Sequence, residues 1–246
     1  MEQIGIGEVF VIAGQSNASG RGTNNQTTGV YPYPSVTLYG NDYVWKRLQD
    51  PTDSPVNQVD AVSDDSNAGG SVWPILGGLI AQYETVPVAF IPCAMGGTGI
   101  SQWEPSGSHT NKTTLYGSMV WRAGYAIPGG VRAVLWWQGE NEAAAGINQP
   151  VYFAAYTNLS ASIASDLGAV VMPCKLENAS EYSEAAQAQI NAAIGQAWSN
   201  DVNTVQGPDL SVISTQPEDT VHLITTVKLQ QAAGLWYSAM TNAFGW

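Results

Sequence analysis

The sequence contains few basic residues. Lys and Arg together number 8, against 20 Asp and Glu, so the formal net charge at pH 7 is −12. Nucleic-acid binding depends on clustered Lys and Arg, and anionic membrane surfaces attract basic segments. We therefore expect neither nucleic acid nor a membrane surface as a partner. The composition does not determine an oligomeric state.

Cysteine and histidine are also scarce, with two of each. Cys93 and Cys174 are too few for a disulfide scaffold, and two histidines without metal-ligand spacing do not indicate a zinc site. No Gly-x-Gly-x-x-Gly motif follows a predicted strand, which argues against a bound dinucleotide. We therefore predict neither a metal nor a cofactor.

Long apolar runs are absent as well. No window approaches about 18 apolar residues, the length that predicts a membrane-spanning helix. The segment Met1-Glu2-Gln3 lacks the basic start and apolar stretch of a signal peptide. We expect no membrane span, and the compartment stays open: extracellular, periplasmic and virion-associated locations all fit.

What the sequence does contain is an alternation of short apolar runs and segments with helical spacing. Hydrophobic residues make up 44% of the 246, enough for a large core. The predicted strands are Glu8–Ala13, Val86–Pro92, Val131–Trp137, Ala169–Met172 and Leu210–Ile213, with a weaker candidate at Ser35–Leu38. The predicted helices are Val72–Tyr83, Leu115–Ala126, Val151–Leu167, Ser183–Trp198 and Leu223–Met240. This order predicts one doubly wound α/β domain over residues 1–246, with a parallel sheet covered on both faces.

Ligands of such sheets bind beyond the carboxyl ends of the strands, so the residues that follow each strand are the candidates for function. After the first strand comes Gly14-Gln15-Ser16-Asn17. A serine between small residues at a strand end is placed like an exposed nucleophile. The same composition is also typical of a simple turn, and this segment alone does not decide between the two.

Two further strand ends carry groups that could bind an oxyanion. After the strand Val86–Pro92 comes Gly96-Gly97-Thr98-Gly99, whose glycines allow backbone N–H groups to approach a ligand closely. After Val131–Trp137 comes Gln138, whose amide can donate a hydrogen bond. The glycine segment alone is also compatible with a plain turn. Glu140 and Glu142, which follow Gln138, raise the alternative of a glycosidase carboxylate pair, but such a pair normally comes from two different strands.

The segment Asp219-Thr220-Val221-His222 precedes the last predicted helix. A short loop can let the Asp219 carboxylate hold the imidazole Nδ1–H, while Nε2 faces a nucleophile. A helix-capping aspartate beside an unrelated histidine explains the same spacing. The other histidine, His109, lies in a polar loop where we expect it to be solvated.

Taken together and in order, the four segments resemble the SGNH (GDSL-like) hydrolase superfamily. The match is closest to its carbohydrate esterase branch, which includes proteins similar to sialate O-acetylesterases and acetylxylan esterases. The segments extend over residues 8–222. The resemblance implies a three-layer α/β/α flavodoxin-like fold with a five-stranded parallel sheet, in the order 2-1-3-4-5.

The resemblance also implies serine-dependent removal of O-acetyl groups from carbohydrate, without a cofactor. In that mechanism Ser16 is the nucleophile, His222 is the general base and then the general acid, and Asp219 orients His222. The implied oxyanion hole consists of the backbone N–H groups of Ser16 and Gly97 and the side-chain amide of Gln138. The resemblance leaves open which of the two glycines, Gly96 or Gly97, donates its N–H. The implied partner is an acetylated carbohydrate.

Substrate contacts are expected from Trp103, from Gly96 and from the acidic loop Asp50–Gly70. Two other functions stay open: a short-chain ester hydrolase or lipase of the same superfamily, and a catalytically inert glycan-binding or virion module. The implied strand order also places Val131–Trp137 between the strands that end at Cys93 and Cys174. Two strand spacings are roughly 9–10 Å, beyond disulfide reach, so we predict separate thiols.

Overall fold

The structure is a computed structural model that describes residues 7–27, 36–127 and 129–246. Met1-Glu2-Gln3 and Ser35, which entered the sequence analysis, lie outside these ranges. The strands are β1 Glu8–Gly14, β2 Val36–Tyr39, β3 Trp45–Arg47, β4 Val88–Pro92, β5 Ala133–Trp137 and β6 Val170–Pro173. The helices are α1 Ser16–Ser19, α2 Trp73–Tyr83, α3 Leu115–Ala126, α4 Glu140–Ala144, α5 Gln149–Leu167, α6 Glu184–Asn200 and α7 Thr226–Phe244. Short 3-10 turns occupy Ala61–Ser63, Ile100–Trp103 and Leu210–Val212.

A single mostly parallel sheet with strand order β3-β2-β4-β1-β5-β6 forms the centre of the fold. The pairs β2–β4, β4–β1, β1–β5 and β5–β6 are parallel, and β3 runs antiparallel to β2 at one edge. The predicted three-layer α/β/α fold is confirmed. The four strands that the sequence places at the centre keep the expected order, but the described sheet has six strands instead of five.

The difference in strand number has a local cause at each edge of the sheet. The predicted strand Leu210–Ile213 is wrong, because Leu210–Val212 forms a 3-10 turn. The Asp209 carboxylate accepts hydrogen bonds from the Ser211 N–H at 3.1 Å and from the Ser211 hydroxyl. Such a local side-chain contact competes with a strand ladder. At the opposite edge, the weak candidate near residue 36 forms β2 and is joined by β3.

Helices cover both faces of the sheet. Every residue of β4 and of β5 is buried, and successive side chains of a strand point to opposite faces. Helix α2 packs against α7, while α5 packs against α3 and α6. The core between α2 and α7 is aromatic, with the ring centroids of Trp73 and Trp236 5.6 Å apart. The strand ends are therefore held in a rigid frame.

Cys93 and Cys174 are buried free thiols, as the strand order predicts. The spacing argument needs one correction. Cys93 follows β4 and Cys174 follows β6, and both β1 and β5 lie between these strands. The separation is therefore three strand spacings, about 14 Å, rather than two.

Candidate active site

The candidate site lies at the carboxyl ends of β1, β4 and β5. Because these strands are parallel neighbours, the residues that follow them meet at one edge of the sheet. The segment before α7 approaches the same edge. Together they line an open cleft of about 500 Å³, to which Ser16, Gly97 and His222 contribute.

Gly14 lets the chain turn sharply from β1 into the serine segment. It has φ +127°, and a Cβ at this position would lie 2.0 Å from the carbonyl oxygen of Trp137. The next residue, Gln15, donates its N–H to that same carbonyl at 2.9 Å. The turn therefore places Ser16 at the first position of α1, where a backbone N–H has no partner within the helix.

Ser16, His222 and Asp219 form one chain of hydrogen bonds. The Ser16 Oγ lies 2.9 Å from the His222 Nε2. The His222 Nδ1 lies 2.8 Å from the Asp219 Oδ2. A carboxylate at Nδ1 favours the tautomer that carries its proton there, which leaves Nε2 free to accept the Ser16 proton. This arrangement has the geometry required for nucleophilic attack by a serine hydroxyl.

The loop backbone stabilises the charged form of Asp219. Its second oxygen, Oδ1, accepts the N–H groups of Val221 at 2.9 Å and of His222 at 2.8 Å. Partial burial of Asp219 opposes ionisation. The two backbone N–H groups and the imidazole outweigh burial and lower the pKa of Asp219 below its usual range. A fixed negative charge therefore faces the Nδ1 of His222.

The glycine segment after β4 presents one free N–H to the cleft. The N–H of Gly96 donates to the Asp65 carboxylate at 2.9 Å and is already occupied. Among the described residues, none accepts the N–H of Gly97. Gly97 has φ +74°, a left-handed conformation that favours glycine. Of the two glycines, Gly97 is the one whose N–H can reach a ligand.

Gln138 lies deeper than the sequence predicts. It is fully buried, and its Nε2 lies 3.2 Å from both the Gln15 Oε1 and the Thr98 carbonyl oxygen. The same Nε2 also donates to the Glu142 carboxylate. Its Oε1 accepts the Tyr152 hydroxyl at 3.0 Å. The Gln138 amide is thus surrounded by protein partners and is not part of the cleft lining.

The expected substrate contacts divide into two groups. Trp103 is fully buried, donates its Nε1–H to the Thr98 Oγ1 at 3.1 Å and packs edge-on against Trp136. Trp103 therefore belongs to the core and does not line the cleft, and a substrate contact from its side chain stays a prediction. Gly96 and residues 64–67 of the acidic loop do line the cleft.

Asn17 connects the serine helix to two buried carboxylates and to the histidine loop. Its Nδ2 donates to Glu140 and to Glu177, each at 2.9 Å, and its Oδ1 accepts the Leu223 N–H at 3.1 Å. Burial raises the pKa of both glutamates, and the charge of Glu140 raises that of Glu177 further. The Asn17 side chain thereby fixes the backbone beside His222.

The charge of the cleft is predominantly negative. Asp64, Asp65, Glu140 and Glu181 line it, and of the described lining residues Arg21 alone is a Lys or Arg. The Arg21 Nη2 lies 2.7 Å from the Asp65 Oδ2. This pair opposes the effect of burial and lowers the pKa of Asp65. The cleft therefore offers little free positive charge to an anionic ligand.

The described residues contain neither a metal-binding cluster nor a membrane-spanning helix. No cluster of three or more His, Cys, Asp or Glu side chains there has an arrangement that could hold a metal ion. Over the same residues, no helix combines the length and apolarity of a membrane span. His109, the second histidine, is half-exposed and pairs with Asp166 at 2.7 Å, and it does not line the cleft.

The fold is shared with solved carbohydrate esterase structures. An X-ray structure of an Arabidopsis thaliana protein superposes on this chain with a TM-score of 0.71 at 21% identity. The superposition covers 96% of this chain and 99% of the Arabidopsis chain. A carbohydrate acetylesterase from Xanthomonas citri has a TM-score of 0.69 at 14% identity, over 97% of this chain and 57% of that one. Identities this low establish the fold alone.

The family follows from the sequence. A family model described as a sialic acid-specific acetylesterase among carbohydrate esterases matches residues 6–240. The chain belongs to this family, which confirms the resemblance to the carbohydrate esterase branch. A probable carbohydrate esterase of Arabidopsis thaliana is 29% identical over 157 residues. That alignment covers 55% of this chain and 54% of the relative, so it spans about half of the relative's length.

Sequence reasoning missed several residues of this neighbourhood. Gln15 and Asn17 flank Ser16, yet only the serine was assigned a role. Glu177 follows β6 by a few residues, so the rule that function follows strand ends could have identified it. The pair of Arg21 and Asp65 joins two loops 44 residues apart, and no local pattern indicates it.

Proposed function

We propose that this chain removes O-acetyl groups from carbohydrate by a Ser-His-Asp mechanism with an acyl-enzyme intermediate. The observation that carries the proposal is the hydrogen-bonded chain from Ser16 through His222 to Asp219 at the wall of an open cleft. Membership in a carbohydrate esterase family supports the same chemistry. The acetylated carbohydrate is the substrate that fits both.

The first half-reaction forms the acyl-enzyme. The Ser16 Oγ attacks the acetyl carbonyl carbon while its proton moves to the His222 Nε2. The carbonyl oxygen becomes an oxyanion, which the N–H groups of Ser16 and Gly97 can stabilise. The intermediate collapses, the bond to the sugar oxygen breaks, and that oxygen takes the proton from Nε2. The sugar leaves with a free hydroxyl.

The second half-reaction repeats the first with water as the nucleophile. His222 accepts a proton from water as the water oxygen attacks the acetyl group on Ser16, and the second collapse returns this proton to Oγ. Acetate leaves, and the enzyme is restored. Both halves use the neutral imidazole of His222 as the acceptor of a proton.

The test compares Ser16→Ala with wild type on p-nitrophenyl acetate and on acetylated oligosaccharide, with circular dichroism to establish folding. Ser101→Ala, at an exposed serine, is the matched control. Losing the nucleophile should lower kcat by about 10⁴ or more, while the control stays at the wild-type rate. Equal rates for Ser16→Ala and wild type would refute the mechanism.

Two further assays separate the alternatives. Faster hydrolysis of octanoyl than of acetyl esters would favour a lipase-like activity over deacetylation. Binding of the oligosaccharide without turnover by either protein would favour an inert glycan-binding module.

A further inference from the structure

The N–H of Gly97 has no acceptor among the described residues, and the loop that carries it is joined to a neighbouring ion pair. We propose that the pair formed by Arg21 and Asp65 positions this N–H for the oxyanion, and that the charge of Arg21 cancels a negative charge that would otherwise oppose the reaction. The inference rests on the proposed serine mechanism and assigns two positioning residues to it.

The peptide unit that carries the Gly97 N–H is held through both of its neighbours. On one side, the N–H of Gly96 donates to the Asp65 Oδ2 at 2.9 Å. On the other side, the Asn141 Nδ2 donates to the Gly97 carbonyl oxygen at 3.0 Å. Because both neighbouring peptide units are fixed, the unit between them has little freedom to turn its N–H away from the cleft.

Asp65 is itself a fixed acceptor. Its Oδ1 accepts the Asn67 N–H at 3.1 Å, and its carbonyl oxygen accepts the Ala68 N–H at 3.1 Å. The residue is only 3% exposed. The Oδ2 that meets Gly96 is therefore held by its own loop rather than by the cleft.

Arg21 lies directly against the glycine loop. Its Nη2 is 2.7 Å from the same Asp65 Oδ2, and its Nη1 donates to the Gly20 carbonyl oxygen at 2.9 Å. A Cβ at Gly96 would lie 2.2 Å from the Arg21 Nη2. The missing side chain at Gly96 is thus what allows the guanidinium to approach so closely.

The charges of the pair explain why an arginine is needed there. The Asp65 carboxylate binds the residue next to Gly97, and like charges repel strongly in a site shielded from water. Alone, this carboxylate would raise the energy of an oxyanion bound at the Gly97 N–H. With Arg21 the pair is neutral as a whole, and the hydrogen bond to Gly96 is kept. Arg21 therefore acts through Asp65 and without touching the substrate.

The first experiment measures kcat and KM of Arg21→Met on p-nitrophenyl acetate at pH 8, well above the ordinary pKa of an aspartate. Methionine keeps part of the apolar stem and removes the charge. We expect kcat to fall by about 10–100-fold with KM almost unchanged, because the uncompensated carboxylate opposes the transition state. Circular dichroism establishes folding.

The second experiment is one that a merely structural role would not pass. Arg21→Met/Asp65→Asn removes both charges, and the amide oxygen of the new side chain can still accept the Gly96 N–H. Its kcat should return to within about fivefold of wild type. If the pair only held the fold together, a second lost charge would not restore the rate.

The third experiment isolates the acceptor. Arg21→Met/Asp65→Leu has the same charge as the asparagine double variant and a side chain of similar size, but no oxygen for Gly96. Its kcat should be lower than that of the asparagine double variant by about tenfold or more, because the Gly97 N–H loses one of its two anchors.

Lys175→Met is the matched control, because Lys175 forms a similar pair with Asp209 at 2.9 Å outside the cleft. Its kcat should equal that of wild type. A second readout is inhibition by a boronic acid, whose tetrahedral adduct on Ser16 carries a negative oxygen. The inhibition should weaken in Arg21→Met and recover in Arg21→Met/Asp65→Asn, whereas an unfolded fraction would lower kcat without changing the inhibition constant.

Three outcomes would overturn the inference: a kcat of Arg21→Met within about threefold of wild type, no recovery in Arg21→Met/Asp65→Asn, or equal rates for the two double variants. A raised KM with unchanged kcat in Arg21→Met would show that Arg21 binds the substrate directly. If Ser16→Ala nevertheless abolishes activity, the serine mechanism stands and only the role of the pair falls. If Ser16→Ala keeps activity, the proposed function and this inference fall together.

Discussion

The substitution Glu140→Gln tests how a buried carboxyl group affects the free energy of unfolding. Glu140 is 2% exposed, its Oε1 accepts from Asn17, and its Oε2 has no hydrogen-bond partner among the described residues. Glutamine has the same shape, can keep the contact to Asn17 through its oxygen, and replaces the unpartnered oxygen with an NH₂ group. The change therefore removes the charge with little change in packing.

The expected effect on the free energy of unfolding follows from the pKa. Burial raises the pKa of Glu140 from 4.5 to about 7. A carboxyl group with a raised pKa binds its proton more tightly in the folded state, so wild type loses stability as pH rises from about 4.5 to about 7. At 1.36 kcal/mol for each pKa unit, this loss is about 3 kcal/mol. The Glu140→Gln variant has no carboxyl group at this position and does not undergo this loss of stability.

Urea denaturation of both proteins at pH 4.5 and at pH 8 measures this effect. The stability of Glu140→Gln relative to wild type should increase by about 3 kcal/mol between the two pH values. Glu104→Gln, at an exposed glutamate, should give a pH-independent difference near zero. A pH-independent difference for Glu140→Gln as well would refute the reasoning, because Glu140 would then titrate normally in the fold.

Three other predictions concern the cleft. Asp219→Asn keeps the shape of the loop but allows the wrong tautomer of His222, so kcat should fall by about 10⁴ with a folded spectrum; an activity within tenfold of wild type would contradict its orienting role. Asn17→Ala removes one donor from each of two buried carboxylates, of which Glu177 keeps the Trp137 Nε1–H, and should cost about 2–5 kcal/mol in urea denaturation. A loss below about 1 kcal/mol would show that water replaces Asn17. Because the cleft is acidic, neutral acetylated xylo-oligosaccharides should have a higher kcat/KM than O-acetylated sialic acid, which carries a negative charge. The double variant Asp64→Asn/Glu181→Gln should raise kcat/KM for the sialic acid several-fold. An unchanged preference in this variant would show that these charges do not select the substrate.

The regular elements near the site could be predicted because their determinants are local. The apolar runs of β1, β4, β5 and β6 give the strands, and burial on both faces explains why these runs are continuous rather than alternating. Helix α3 has the predicted bounds, Leu115–Ala126, and Thr114 caps its first turn by accepting the Gly117 N–H. The strand prediction for Leu210–Ile213 was wrong because a side-chain contact of Asp209 outweighs the β preference of the apolar residues.

The residues of the site could be named for a similar reason. Parallel strands bring their carboxyl ends to one edge, so Ser16 and Gly97 were candidates from their positions along the chain alone. His222 and Asp219 were candidates because three residues of separation let a carboxylate reach an imidazole within one loop. Trp103 illustrates the limit of this reasoning, since its position after a strand end does not show whether the indole faces the cleft or the core.

By itself, the sequence determined the class of fold and the serine, histidine and aspartate segments, because each depends on residues close together in the chain or on a periodic pattern of burial. The central strand order came from the resemblance to a known family. Only the tertiary structure decided which amide faces the cleft. Gln15 and Gln138 have the same side chain and both follow a strand, but their hydrogen-bond partners come from four segments separated by up to about 140 residues. Hydrogen bonds are short and directional, so such a choice is made only when distant segments are brought within about 3 Å of one another.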